Sequence, residues 1–498
     1  MLQDIKKAIF RDFSQPLQNP WIDKFNTYTR SLNFIFLIGI ITVVSNFLGL
    51  ELLGYTIFLV TACCIALYGT DFLPMLILVT CCYIMPSPKN NPGRQAASVF
   101  SPFNGGIFLI LLFVAFIFCV IYRIKHDPEL GFKNLLNKKR SLLIGMLILG
   151  GGYVMAGAFS GRYFDSGLIF DKGIMNTIFA IVQFLSVTLL YWLFGATIRW
   201  EKVPKDYIAW AGLTTGLTVC GELITVFLFN RVIQGGIIRT GLIFSGWGNA
   251  NNIGCMIAMM IPFAIYLGRR TEKAFRFNLI AIGMLAFVCF TCSRTSMLVA
   301  FLMYAVSIIC ILWKAPKSKA KREFLIFNSI IMLGIIAVCV VFYRQIAHLF
   351  QELVIRGMDP RGRQSIYPAG ISTFLSHPVF GDSFYPNSYY IYEWSTVEQF
   401  KAIFPGRWHN TVIQLLASCG AFGLICYSVH RLQTIWLFWK KRNTQVLYIG
   451  LVLLSLLLMS LLDCHFFNIG PTLFYSAALA YAEYMPEETM YEKHRKKK

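Results

Sequence analysis

Apolar and polar positions alternate on a coarse scale along this chain. Runs of roughly 20 predominantly apolar residues, the length that crosses ~30 Å of hydrocarbon, recur from residue 31 to residue 484, separated by short polar or basic connectors. The spacing predicts helices over 31–50, 52–69, 71–86, 103–122, 141–158, 173–197, 206–230, 250–268, 275–292, 294–313, 324–343, 410–429, 445–463 and 469–484. The turn Gly69-Thr70-Asp71 between the second and third is very tight. The expected fold is an all-α integral membrane protein of about fourteen transmembrane helices. A cytoplasmic or interfacial segment 1–30 precedes helices in 31–343. A large, partly helical extracytoplasmic loop follows at 344–409, then helices in 410–484 and a basic cytoplasmic tail at 485–498.

The basic residues orient the array. With the N-terminus inside, the inner connectors hold Lys6, Lys7, Arg11, Lys24 and Arg30, then the run from Arg123 to Arg140. Arg199, Lys202 and Lys205 follow, then the group at 269–276, the run from Lys314 to Arg322, Arg431 with Lys440 to Arg442, and the tail. Most of the 45 Lys and Arg thus fall on one side, as expected where positive charge resists translocation. Both termini are therefore expected in the cytoplasm. The polar and aromatic start of the chain (Phe10, Phe13, Trp21, Phe25) is read as an interfacial segment before a retained first helix, with no cleavable signal.

Composition agrees. Hydrophobic residues make up 56% and charged residues 14%, with a mean hydropathy of +0.60, whereas a soluble domain carries about a quarter of its residues charged. The net charge of +21 lies in connectors between apolar runs, where it contacts anionic headgroups; nucleic acid is not an expected partner, and the lipid bilayer is. Nearly all of the fourteen cysteines lie in apolar runs and none in 344–408, which argues against a disulfide framework. The pair Cys289 and Cys292 has no second pair to complete a metal site, and Asp359, Asp382, Glu393 and Glu398 lack DxD spacing. No metal and no cofactor is expected. The chain has no GxxxxGK[ST], GxSxG or HExxH motif.

Three features carry candidate chemistry. Arg294, in Cys292-Ser293-Arg294-Thr295-Ser296, stands at the junction of two apolar runs; it either snorkels to the interface or faces a polar cavity and holds an anion through paired hydrogen bonds. Arg356, Arg361 and Arg363 cluster on the long loop, as a solvated charge run or as a site for a phosphorylated headgroup. His409, followed by Asn410, lies where the loop re-enters the membrane. Its imidazole can take a proton from a hydroxyl, although an interfacial histidine is also a common structural residue. His377 reads as a turn residue, and His348 and His465 have no supporting context. The loop is long enough to be functional and rich in aromatics, among them Phe384, Tyr385, Tyr389, Tyr390, Tyr392 and Trp394.

From Gly362 onward the chain resembles the O-antigen ligase and O-antigen polymerase superfamily of bacterial membrane glycosyltransferases. The matching residues are Gly362-Arg363 through Tyr367, Phe374-Leu375-Ser376-His377-Pro378 through Gly381, His409-Asn410 and Gly420-Ala421-Phe422-Gly423. Upstream, Gly248-Asn249-Ala250-Asn251-Asn252 and Ser293-Arg294 are similar to family features. Tyr367 stands where the family often has Trp, and Gly381-Asp382-Ser383 where it has Gly-x-Gly. The resemblance implies metal-independent transfer at the outer face of a bacterial plasma membrane, from an oligosaccharide on undecaprenyl pyrophosphate to a glycan acceptor. It further implies that Arg294 and Arg363 grip the pyrophosphate and that His409 activates the acceptor hydroxyl; Arg361, Arg356 and Asn410 are accessory candidates from their positions in the sequence.

Within that resemblance the expected activity is polymerisation of lipid-linked repeat units into a surface polysaccharide. The Lys-, Ile- and Phe-rich composition points to a low-GC genome, where lipid A acceptors are usually absent. The alternative is a ligase that moves a finished glycan to a lipid, wall or protein acceptor. A transporter of lipid-linked glycans would instead need charged residues inside the spans, for which Glu222 and Asp463 are the few candidates. A peptidoglycan polymerase of the shape and division class has no motif here.

Overall fold

The computed structural model describes residues 19–90, 106–127, 130, 141–160, 188–234, 237–239, 242–245, 248–314, scattered positions between 322 and 340, 363–381, 408–441 and 444–485. These are almost entirely helical. The N-terminal group is α1 (Pro20–Thr29), α2 (Leu32–Leu48), α3 (Glu51–Tyr68), α4 (Met75–Cys82), α5 (Gly106–His126) and α6 (Ser141–Ser160). The short α7 (Thr188–Thr197) and α8 (Tyr207–Phe229) lead to two antiparallel two-residue hairpins, β1–β2 (Ile233–Gln234, Ile237–Ile238) and β3–β4 (Phe244–Ser245, Gly248–Asn249). Then come α9 (Ala250–Arg270), α10 (Ala274–Phe290), α11 (Arg294–Lys314), α12 (Arg363–Ser376), α13 (Thr411–Lys440), α14 (Thr444–Leu462) and α15 (Ile469–Tyr484). By length and apolarity, α3, α5, α8, α9 and α13 can each cross a membrane, and α1 with α2, bent by 69°, makes a sixth candidate. The remainder of the expected 173–197 and most of 324–343 lie outside the described residues.

Local chemistry sets the helix ends. Ser31 caps α2 by accepting from the Phe34 amide, and Gly49 ends it at φ 74°, where a residue without Cβ is at ease. Arg123 of α5 donates to the carbonyls of Gly69 (2.9 Å) and Thr70 (3.0 Å) beyond α3 and pairs with Asp127 at 2.8 Å. Lys441 donates to the carbonyls of Ala482, Glu483 and Met485 at the end of α15. A buried and a part-buried cation here satisfy helix-end carbonyls.

The centre of the molecule is α9, which packs against α8, α10, α11, α14 and α15. In its apolar stretch 89% of residues are buried, against 11% in peripheral α5. A helix apolar on every side and buried on every side is a core helix. Gly212 and Gly216 on α8 leave room for Phe263 and Met260 of α9, the small-residue contact by which apolar helices approach closely in lipid.

Two expected spans differ in the structure. The third, 71–86, contains only the eight-residue α4, about 12 Å long. The cause is Asp71: its buried carboxylate accepts from the amides of Leu73 (3.1 Å) and Arg199 (3.1 Å) and pairs with Arg30 at 2.8 Å, which holds 71–74 in a turn. The helix expected at 410–429 runs on to Lys440, with a break at Gly420 (φ 63°, ψ −166°). That extension removes Arg431 from the inner connectors and places it within α13, about ten residues, or ~15 Å, from either end of the segment after the break.

Candidate functional site

Four segments from distant parts of the chain meet around Asp463, in the turn between α14 and α15. The first carries His409. Trp408, fully buried against Ile366, Ala369 and Ala417, anchors it, and the Trp408 amide donates to Gln414 Oε1 at 3.0 Å. On the other side Asn410 caps α13 by accepting from the amides of Val412 (2.8 Å) and Ile413 (3.1 Å), while its own amide donates to the Leu461 carbonyl at 2.8 Å. Between these two fixed neighbours His409 has φ 48°, a left-handed conformation that costs a non-glycine residue of order 1–3 kcal/mol. The His409 carbonyl accepts from Tyr367 Oη at 3.3 Å, which ties α12 to the same point.

His409 Nδ1 donates to Asp463 Oδ1 at 3.0 Å. Burial by itself pushes the Asp463 carboxyl up, but the His409 hydrogen bond, the charges of His465 and His409, and the Cys464 amide (2.7 Å) outweigh it and hold the group well below the usual carboxylate range. An ionised Asp463 accepts only, so a neutral His409 is the Nδ1–H tautomer and keeps its lone pair on Nε2. The His409 side chain is 20% exposed and that of Asp463 9%. The arrangement fixes the imidazole and leaves a nitrogen lone pair able to accept a proton.

The second segment is the start of α9. Asn249 Oδ1 caps the helix by accepting from the amides of Asn251 and Asn252, both at 3.1 Å. Asn251 Nδ2 donates to Asp463 Oδ2 at 2.8 Å. Asn252 Oδ1 accepts from His465 Nδ1 at 3.1 Å and from Asn468 Nδ2. The third segment is the start of α11, where Ser293 Oγ and Ser296 Oγ lie 2.7 Å apart and Ser296 Oγ donates to the Asn251 carbonyl at 3.5 Å. Cys292, directly before Ser293, is again left-handed, at φ 53°. Among the described residues, left-handed non-glycine backbone also occurs at Arg231 and Glu272, outside these segments.

The fourth segment is α12, which packs on α13. Gly381, past its C-terminus (φ 73°), and Gly420 lie against each other's backbones: a Cβ on either would strike main-chain atoms of the other strand. The Ala421 amide donates to the Pro378 carbonyl (2.8 Å) and the Phe422 amide to that of Val379 (3.1 Å). The His377-Pro378 to Gly381 turn thus serves as the hinge pin for the break in α13, and His377 is the turn residue its context implies.

The expected site residues fall out as follows. His409 is in the cluster. Arg294 is the first residue of α11, beside Ser293, on the segment that meets Asn251. Arg363 is the first residue of α12, one turn before Tyr367 and on the same helix face. Asn410 commits its amide to backbone at the start of α13. Arg356, Arg361 and the loop aromatics lie outside the described residues, as does the Arg363 side chain. Two residues gain roles that the sequence alone did not assign: Asp463, first weighed only as a charge inside a transport path, and His465, which had no context. Their signal was local, an acid and an imidazole two apart in a turn that the alternation of spans places level with His409.

Residues 279–428 match the family described as O-antigen ligase, a stretch that takes in Arg294, α12, His409 and the break at Gly420 but leaves Asn251 and Asp463 to the flanks. Members of that family are glycosyl-transferring membrane enzymes. No curated protein matches the chain. With its apolar helices and this match, the protein is a membrane protein whose residues 279–428 carry the O-antigen ligase family pattern.

Proposed function

We propose that the protein is a polysaccharide polymerase that joins undecaprenyl-pyrophosphate-linked oligosaccharide units at the outer face of a bacterial plasma membrane. The observation that carries this reading is the 3.0 Å contact between His409, within the matched stretch 279–428, and Asp463, beyond its end. His409 Nε2 takes the proton of an acceptor sugar hydroxyl as its oxygen attacks the anomeric carbon of the donor. The bond from that carbon to the phosphate oxygen breaks, and undecaprenyl pyrophosphate leaves with the electron pair. Asp463 stabilises the imidazolium until its proton passes to solvent. Arg294 and Arg363 are assigned to the departing pyrophosphate, where paired guanidinium hydrogen bonds offset the developing charge. Since the leaving group is already activated, holding the two sugars in line supplies much of the remaining rate.

The family's description as a ligase favours a second reading, single transfer of a finished glycan to a different acceptor. Purified protein in liposomes with a defined lipid-linked donor, with and without a separate acceptor, separates the two. A ladder of repeat units from donor alone is expected. A single transfer that needs the added acceptor establishes the ligase instead, and no glycan transfer under either condition overturns both.

A further inference from the structure

The three asparagines at the head of α9 do different work. Asn249 alone satisfies the free amides of the first turn, since its Oδ1 accepts from both Asn251 and Asn252; neither of those side chains is needed as a cap. They reach instead across more than two hundred residues of sequence to the turn that holds Asp463. The Asp463 carboxylate has two oxygens to fix. Oδ1 accepts from His409 (3.0 Å) and from the Cys464 amide (2.7 Å). On Oδ2 the Asn251 amide sits at 2.8 Å, with His465 Nε2 at 3.9 Å. A carboxylate turns easily about its last torsion, which is broad and roughly two-fold. With donors on both oxygens it is held in one plane, and the imidazole on Oδ1 is held with it. The support is itself rigid: α9 is enclosed by five helices, and Asn252 is tied to His465 and Asn468 on the far side of the same turn.

We propose that Asn251 is a positioning residue for glycan transfer: it fixes the plane of the Asp463 carboxylate and, through it, the direction in which His409 presents Nε2. The proposal rests on the reading of His409 as the base. Asn251 touches no substrate in this scheme, so its loss disturbs the turnover step and not donor binding.

The test is a double-mutant cycle on the full-length protein in liposomes, with kcat and KM for the lipid-linked donor measured for wild type, Asn251→Ala, Asp463→Ala and the double variant. Asn251→Ala is expected to lower kcat roughly 10- to 100-fold, the size of one hydrogen bond to a charged group, with KM unchanged. In the Asp463→Ala background the same change should cost less than about twofold, because residues that act as one unit are not additive. Asn251→Ser, smaller and still polar, provides the same cycle if the alanine variant does not fold. Costs that multiply across the cycle, or a loss that falls on KM alone, overturn the proposal. His409→Ala, measured alongside, separates the two levels. Wild-type rates in that variant remove the base assignment and this inference with it; an inactive His409→Ala beside a multiplicative cycle removes only the role of Asn251.

Discussion

His409 with Asp463 and Arg431 with its aromatic neighbours are two buried charged clusters on or beside the same helix, and they are stabilised in opposite ways. Around Asp463 every close partner is a hydrogen-bond donor: an imidazole, an amide side chain and a backbone N–H. Around Arg431 the partners are ring faces. Its guanidinium lies 4.7 Å from the centres of Tyr427 and Phe466 and 5.2 Å from Tyr475, with one hydrogen bond from Nη1 to Tyr475 Oη at 3.1 Å, and His430 Nε2 shares that hydroxyl at 2.6 Å. Cation–π contacts of this kind are worth about 2 kcal/mol each once water is excluded. The first cluster leaves a partly exposed imidazole with a lone pair; the second encloses its charge. Phe466 connects them, since it stacks on Arg431 and is the neighbour of His465. A charged group within a membrane span invites a functional reading; the difference in partners is consistent with the proposed base role of His409 and with a packing role for Arg431.

That contrast can be broken experimentally. The largest effect is expected from His409→Ala, which should reduce glycan transfer by about 10²- to 10⁴-fold, the usual worth of a positioned base, while the protein still inserts and its thermal midpoint moves little. Near-normal polymer from this variant would dissolve the distinction. Gly420→Ala should come next and act on both clusters together. The added Cβ meets the Val379 backbone in a conformation already costly for alanine, so the yield of folded protein by size-exclusion chromatography is expected to fall severalfold, and the surviving fraction to transfer slowly. Arg431→Met keeps length and drops charge. The three lost cation–π contacts are largely offset by relief of the cost of burying the charge, so stability should fall by a net of about 1–2 kcal/mol, read as a reduced thermal midpoint in detergent, with the rate per folded molecule within about twofold of wild type. A rate that collapses while the midpoint stays put would move Arg431 into the chemistry.

Sequence pattern alone located the apolar helices well where a single periodic run decides them: 445–463 is Thr444–Leu462 and 469–484 is Ile469–Tyr484. It failed where one polar side chain overrides the run. Asp71 cuts an apolar stretch into a turn and a short helix because it finds Arg30 and two backbone amides, partners that no local window contains. Arg431 was grouped with connectors because charge ordinarily marks a span end; the rings that enclose it come partly from α15 and the turn before it. His409 was legible as a residue type at a boundary. Its acid was not, since Asp463 stands 54 residues away, and Asn251 stands a further 212 residues from that acid. Pairing across such separations is a property of the packed bundle. The Gly248 to Asn252 motif was visible, but only the structure divides its labour among a cap, a carboxylate donor and an acceptor for His465.

The left-handed backbone at position 409 has a consequence for stability. Glycine is the residue that conformation accommodates without penalty, so His409→Gly is expected to melt about 1 °C above His409→Ala, given ~1 kcal/mol of relieved strain in a chain of this size. The strain at 409 is therefore held against the hydrogen bond that its imidazole gives the Asp463 carboxylate.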